Sequence, residues 1–520
     1  MNHKLLLTAF LLLFSLTAWA QTTLGPHRPS TKWMQIDTDT VQVVFSDGLK
    51  PQAERVASIV HALVSDSSMA EVGDISDKVT IILRNETGIP NGFVAPSPFR
   101  SEFFTTSPQY NFGGTTNWLD LLSIHEYRHV LQNQNAKVEA TKLASILFGQ
   151  NGWWFMSGTA LPRWYIEGDA VVSETMLTRS GRGRVPGFDM EYRALRLAGK
   201  EYNYEKASAG SYKDFVPDHY VLGYHLTGYG RKQFGQHIWA DVLHKAASFD
   251  GIFFPFSRNL KKLTGLNTPK LYRESMEYLD STYQEITAEA AEPQGTRMSA
   301  KPRVYTDYRQ PLFIDENRLI AVKSGLEDVP TFYELSESGK EKRLFQPGFN
   351  NDLNFQVSVV GDMLAWAEIN YHPRWTREDY SNIRVTDLGG NLGFRSLSSR
   401  AKYFSPALSK NGVRLAVIHR NPEDLASTIR LLSISSGEEV RTLPNPEGYR
   451  FHHLRWFPDG ERLLTVLRKG QMNALASVEA SSGEVTLLTE FTAEHISQPY
   501  PSQEWVFFSS TYTGTNNIYA

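Results

Sequence analysis

The second half of this chain repeats itself, and the repeat constrains the fold more than any other feature. Glu316-Asn317-Arg318-Leu319-Ile320 is echoed by Gly361-Asp362-Met363-Leu364-Ala365, Gly412-Val413-Arg414-Leu415-Ala416, Gly460-Glu461-Arg462-Leu463-Leu464 and Gln503-Glu504-Trp505-Val506. Each copy leaves a turn and enters a short apolar strand, and the period lies in the mid-forties of residues. A second echo (Ser338-Gly339-Lys340, Leu388-Gly389-Gly390, Ser436-Gly437-Glu438, Ser482-Gly483-Glu484) reads as a hairpin turn between the outer strands of each unit. Several strands per unit, no helix and this period imply the blades of a β-propeller. A β-sandwich would not recur so regularly. Four whole blades fit before Asn516-Asn517-Ile518-Tyr519-Ala520, where the third strand of a fifth is expected. The expectation is an incomplete propeller of about four and a half blades over 296–520, from a fragment or a truncated reading frame.

The first half carries the chemistry. His125-Glu126-Tyr127-Arg128-His129 is an H-E-x-x-H run, which on a helix sets two imidazoles one turn apart on one face. Leu121, Leu122 and Ile124 lead into it, and Val130 and Leu131 follow, so the helix is expected to be mostly buried. Buried imidazoles need partners, and a divalent ion satisfies both at once. Glu126 stands about 100° round the helix from His125, close enough to hold a water at the metal without ligating it. Downstream, Trp164-Tyr165-Ile166-Glu167-Gly168-Asp169-Ala170 offers Glu167 as a third ligand. Three protein ligands with an open fourth position describe catalytic zinc. His125, His129 and Glu167 are therefore the expected Zn²⁺ ligands, and Glu126 the expected general base.

These runs resemble the gluzincin, thermolysin-like metallopeptidases. W-Y-I-E-G-D-A is similar to the W-x-x-E-G-x-A helix of the M1 aminopeptidases, and Tyr220-Val221-Leu222-Gly223 to their Y-x-x-G. The resemblance implies that Tyr220 supports the tetrahedral intermediate, with Tyr224 as the alternative donor. It also implies an edge strand ahead of the zinc helix that pairs with extended substrate, a role for which Glu102 to Thr106 is the candidate. Asp169 and Glu174 stand near the third ligand, each either orienting a ligating imidazole or, as is commoner, solvated or paired with a nearby Arg, and Arg128 is expected to form a salt bridge within the domain. Two departures stand out. Between His129 and Glu167 lie 37 residues, more than M1 enzymes have, including an apolar stretch from Leu143 to Met156 that reads as an inserted helix and loop beside the cleft. No G-x-M-E-N run, which holds a substrate's free amino terminus in M1 enzymes, precedes the helix. Aminopeptidase specificity is therefore not supported, and the chain is expected to be a distinct branch with endopeptidase or an undefined specificity. Phe404-Ser405-Pro406 and Trp456-Phe457-Pro458-Asp459-Gly460 resemble the TolB-like, WD40-related blades of bacterial envelope proteins.

The fold expected is thus multidomain: an α+β gluzincin metallopeptidase domain over 21–295, followed by the all-β propeller. Lys4, the apolar run Leu5 to Leu16 and Ala18-Trp19-Ala20 read as a signal peptide over 1–20, too short to span a bilayer. Glu292-Pro293-Gln294-Gly295-Thr296 reads as a linker. There is no cysteine, which excludes disulfides and thiolate metal sites. A net charge of -3 with scattered Lys and Arg gives no sign of nucleic acid or of an anionic membrane as partner. The reading is an exported zinc peptidase, periplasmic or extracellular and envelope-associated, acting on polypeptide, whose propeller binds substrate or an envelope protein. The alternative is an envelope scaffold in which the propeller works and the peptidase-like domain is inactive. A metallohydrolase acting on non-peptide substrates is a third reading.

Overall fold

The computed structural model describes residues 25–65, 78–110, 112–287, 297–390 and 393–520. The expected signal peptide and the linker phrase lie outside the described residues. An N-terminal α/β region is followed by a β-propeller of five blades.

The first region is built on a five-stranded sheet: β1 (Trp33–Asp37), β2 (Val41–Ser46), β3 (Val79–Arg84), β4 (Gly92–Pro96) and β5 (Phe99–Phe104), in the order β1-β2-β3-β5-β4. β2, β3 and β5 run parallel, and the outer strands are antiparallel to their neighbours. Alternate residues of β2 and β3 (Val41, Val43, Val79, Ile81) are buried, the two-residue period of a strand. Helix α1 (Lys50–Val64), entered through a proline in its first turn, packs Val56, Val60 and Leu63 into the same core.

Helix α2 (Trp118–Asn135) carries the H-E-x-x-H run. Its N-terminus is capped by Asn117 Oδ1, which accepts from the Leu119 N–H, and Asp120 of the first turn pairs with Arg55 at 2.9 Å. Every residue from Trp118 to Gln132 is buried, so this helix runs through the middle of the region. There follow α3 (Glu139–Ala160), α4 (Arg163–Leu177), a 3-10 turn (Arg182–Arg184), α5 (Pro186–Leu197), α6 (Tyr204–Ala209), α7 (His219–Phe234), α8 (Ile238–Ala247), α9 (Pro255–Thr264) and α10 (Thr268–Thr287). The stretch expected as helix and loop is a helix broken at Gly149 (φ 67°). The chain reverses there, since Gly152 returns against the carbonyl of Ala144.

The expected edge strand is corrected. Glu102 belongs to β5, which pairs with β3 on one side and β4 on the other, and its carboxylate is buried beneath Arg84 and Arg100 at 2.8 Å each. The edge strand on this side of the sheet is β4, which packs on α2 together with β5.

In the propeller, four blades have four strands and the fifth three. The first echo opens the second strand of each blade: Arg318–Gly325, Met363–Tyr371, Arg414–Arg420, Arg462–Lys469 and Val506–Ser510. The second echo makes the turns between third and fourth strands. The second strand Arg462–Lys469 is buried on both faces because its blade is stacked between neighbours, whereas the outer strand Glu439–Leu443 is largely exposed. In four blades the first strand carries a bulge with one residue at positive φ: Gln310, Ser405, His453 or Gln498. These bulges add residues on the side facing the first region.

The segment joining β5 to α2 is held by the propeller. Gln109 and Tyr110 donate their N–H groups to the Leu353 carbonyl, and Gln109 Oε1 accepts from Ser405 Oγ at 3.1 Å. Arg420 Nη1 donates to Ser107 Oγ at 2.6 Å, and Arg468 Nη2 to the Gly114 carbonyl at 2.9 Å. The propeller thus fixes the approach to the helix that bears the H-E-x-x-H run.

Candidate metal centre

Three helices place the site. On α2, His125 and His129 stack edge to face, 4.8 Å between ring centroids. Helix α4 supplies Glu167, whose Oε2 lies 3.5 Å from His125 Nε2 and 3.3 Å from His129 Nε2. Helix α7, capped by Asp218, whose carboxylate accepts from the Tyr220 and Val221 N–H groups, supplies Tyr220. The residues after Glu167 and Tyr220 explain the glycines in their motifs. A Cβ on Gly168 would lie 2.0 Å from the Gly223 carbonyl carbon, and one on Gly223 would lie 1.8 Å from the Trp164 oxygen. Backbone packs on backbone where α4 crosses α7, and only glycine permits it. That crossing brings Tyr220 to Glu167.

The donor atoms of His125, His129 and Glu167 all lie within 4.8 Å of one another. Each imidazole spends its Nδ1 elsewhere. His125 Nδ1–H donates to Glu174 Oε2 at 3.0 Å, and His129 Nδ1–H to Gln132 Oε1 at 2.9 Å. Both Nε2 atoms therefore face Glu167 and are the ones a metal would take up, in exchange for the proton that the carboxylate favours on His129. Glu167 Oε2 is buried and has no hydrogen-bond partner. Two imidazole nitrogens and one orphaned carboxylate oxygen, converging in a buried spot, fit a borderline cation such as Zn²⁺.

A buried carboxylate shell supports them. Glu174 is held by Arg182, whose Nε donates at 2.6 Å and Nη2 at 3.0 Å, and it stays ionised (about 2) because burial is outweighed by Arg182 and His125. With Nδ1 protonated, the Arg182 Nη2 group 2.9 Å from it shares the Glu174 acceptor. Asp169 does not touch a ligand. It accepts from Arg128 (2.7 Å), Arg231 (2.9 Å) and Gln132 (2.9 Å), and so orients His129 through Gln132. Arg128 makes the expected salt bridge. Gln132 and Arg182 were not foreseen. Gln132 stands three residues after His129, so helix spacing alone could have suggested it; nothing marks Arg182.

Glu126 is fully buried, with Oε2 unpartnered. Burial raises its pKa, and the two histidines only partly offset this. Burial also raises the Tyr220 hydroxyl, as does the Glu167 charge, so Tyr220 remains a protonated donor. Its ring lies under the Arg182 guanidinium, 5.0 Å away. Burial works against a proton on His129, yet the Glu167 carboxylate lifts it to about 9. Tyr224 packs on Phe188 and reaches the Gly183 carbonyl instead of the site.

Two cavities meet at His125, Glu126 and Tyr220. One, about 490 Å³, opens between β4 (Gly92, Phe93, Val94) and α3 (Trp154, Ser157). The other, about 700 Å³, runs to the propeller, where Asp307, Arg309, Asp352 and His495 form its far wall. Gly92 is where β4 approaches most closely. A Cβ there would lie 2.7 Å from Leu122 and 3.0 Å from Glu126 Oε1.

No family model matches the chain, and no curated protein matches it. Among solved structures, a putative TolB from Agrobacterium tumefaciens shares 19% identity over 39% of this chain and 69% of its own, with a TM-score of 0.31. TolB from Acinetobacter baumannii shares 14% over 49% of this chain and 59% of its own, with a TM-score of 0.25. A prolyl endopeptidase structure shares 14% over 40% of this chain and 33% of its own, at 0.28. The chain therefore spans under two thirds of the length of the last two. Among the described residues no helix is long and apolar enough to cross a membrane.

Proposed function

We propose that this chain is a zinc-dependent peptidase that cleaves polypeptide internally, with His125, His129 and Glu167 holding the metal. The observation that carries the reading is the convergence of two Nε2 atoms and the orphaned Glu167 Oε2 beside a buried, unpartnered Glu126, where two cavities meet. Zn²⁺ bound there would supply Lewis acidity toward a water and a scissile carbonyl.

The chain's own residues do the rest. Glu126 Oε2 accepts the proton of the attacking water and returns it to the leaving amine, a task that its raised proton affinity suits. Tyr220 donates to the carbonyl oxygen as negative charge develops, an effect of about 3 kcal/mol at comparable sites. Extended substrate adds to the free edge of β4 through backbone hydrogen bonds, with Gly92 leaving room beside Glu126. A cleft open on both sides of the reacting groups accepts chain in both directions, which favours internal cleavage. The propeller forms one wall of that cleft and so takes part in choosing substrate.

The test is cleavage of an internally quenched peptide library by the whole chain. Wild type is expected to cut between internal residues, and Glu126→Gln to lose all turnover. Equal turnover by both proteins would remove the proposal.

A further inference from the structure

The helical hairpin made by α3 has no place in the reaction as described. Its outer face carries Leu143, Ile146, Leu147, Phe148, Trp154 and Phe155, each between 54 and 73% exposed. From Leu143 to Ala160 there is no Asp, Glu, Lys or Arg. The inner face is anchored: Trp153 packs on Phe99 and under Lys137, and Gln150 Oε1 accepts from the Phe99 N–H. The hairpin also packs on α8, whose C-terminal end leads into a second apolar tip, Ile252-Phe253-Phe254, with all three residues between 77 and 82% exposed.

We infer that this face docks on the surface of a bilayer containing anionic phospholipid, with the hairpin lying in the interface. Three observations select lipid. Away from the helix ends the backbone groups of both arms are paired within the helix, which suits a face lying among headgroups rather than a segment crossing hydrocarbon. Each arm has about ten residues and is about 15 Å long, too short to span but enough to lie among headgroups and acyl chains. Charge is complementary. Over 137–160 and 238–264 stand six basic residues (Lys137, Lys142, Lys245, Arg258, Lys261, Lys262) against three acidic ones (Glu139, Asp241, Asp250), with Lys137 over Trp153 and Lys262 paired with Asp250. That is a local balance of +3 in a chain whose net charge is -3. Exposed aromatics rimmed by lysines are the pattern of an interfacial anchor. Because Trp154 and Ser157 also line the cavity beside β4, docking sets the mouth of that cavity at the membrane. The inference does not depend on the peptidase reading.

The experiment is flotation of the whole purified chain with vesicles of phosphatidylglycerol in phosphatidylethanolamine, and with phosphatidylcholine alone. Wild type is expected to float with the anionic vesicles and to be released by salt. Leu147→Ser with Phe148→Ser is expected to weaken partitioning about tenfold or more. Lys142→Gln should weaken it about fivefold. Melting temperatures should hold, since these side chains are exposed. Sedimentation velocity is run beside it. A wild-type dimer that the Leu147/Phe148 pair dissociates would replace lipid by a second copy and overturn the inference. So would failure to float, or flotation indifferent to the hairpin changes or to lipid charge.

Discussion

Glu174→Gln separates the two jobs of one buried carboxylate. Glu174 accepts from four donors: His125 Nδ1 at 3.0 Å, Arg182 Nε at 2.6 Å, Arg182 Nη2 at 3.0 Å and the Arg182 N–H at 3.2 Å. A carboxylate has acceptor sites for all four. An amide of the same shape has one acceptor oxygen and turns an N–H₂ group toward donors. At least one donor is stranded, at about 1–3 kcal/mol, and the buried Arg182 loses its counter-charge, bringing the cost to about 3–5 kcal/mol. Metal affinity should fall about 10- to 100-fold, because the His125 tautomer and ring orientation are no longer enforced. The assay pairs melting of the metal-free chain with zinc competition against a chromogenic chelator. Glu174→Gln/Arg182→Gln removes the stranded cation and should recover much of the stability without recovering zinc affinity. Wild-type zinc affinity in Glu174→Gln would show that Glu174 does not orient His125, and so would affinity that returns with stability in the double variant.

Three further outcomes follow from the same geometry. Gly223→Ala puts a methyl into the Trp164 carbonyl, so α4 and α7 must separate; a loss of about 1–3 kcal/mol in melting experiments and at least tenfold in turnover is expected, with zinc still bound. Gly92→Ala meets only the ends of Leu122 and Glu126, so melting should hold while turnover falls about tenfold through the displaced base. Acid should destabilise the propeller: burial pushes His453 down to about 3 and His495 to about 4. Below pH about 6.5 the unfolded chain takes up protons that the folded chain refuses, so stability present above that pH declines toward pH 4, by up to about 1.4 kcal/mol per pH unit for each histidine. Replacing both with Asn should flatten melting temperature against pH in that window, and an unchanged slope would count against the assignment.

The sequence showed what is periodic or local, and much less of what depends on strand order. The blade echoes were legible because each blade solves the same packing problem with the same turn. His125 and His129 were legible from helix spacing, and Glu174 because it stands two turns beyond Glu167 on one helix. The edge strand was misplaced for a physical reason. Gly92-Phe93-Val94-Ala95-Pro96 has glycine and proline at its ends and reads poorly as a strand, while Ser101 to Phe104 reads well. Yet β5 crosses to pair with β3, leaving the weaker segment outside. The role of Gly92 follows from that order and was invisible with it. Arg182 was missed because Glu174, which it holds, is 8 residues away beyond the end of a helix, and His125, which shares that acceptor, 57 residues away, joined only by the fold. The average charge hid the basic rim of the hairpin, because acidic residues elsewhere balance it.

Zinc counted in the whole chain by mass spectrometry, with Glu126→Gln and His129→Ala measured beside it, decides whether His125, His129 and Glu167 hold a metal. One zinc per wild-type chain is expected, kept by Glu126→Gln and lost by His129→Ala. A folded wild type that takes up no zinc from a zinc-containing buffer would rule the metal centre out.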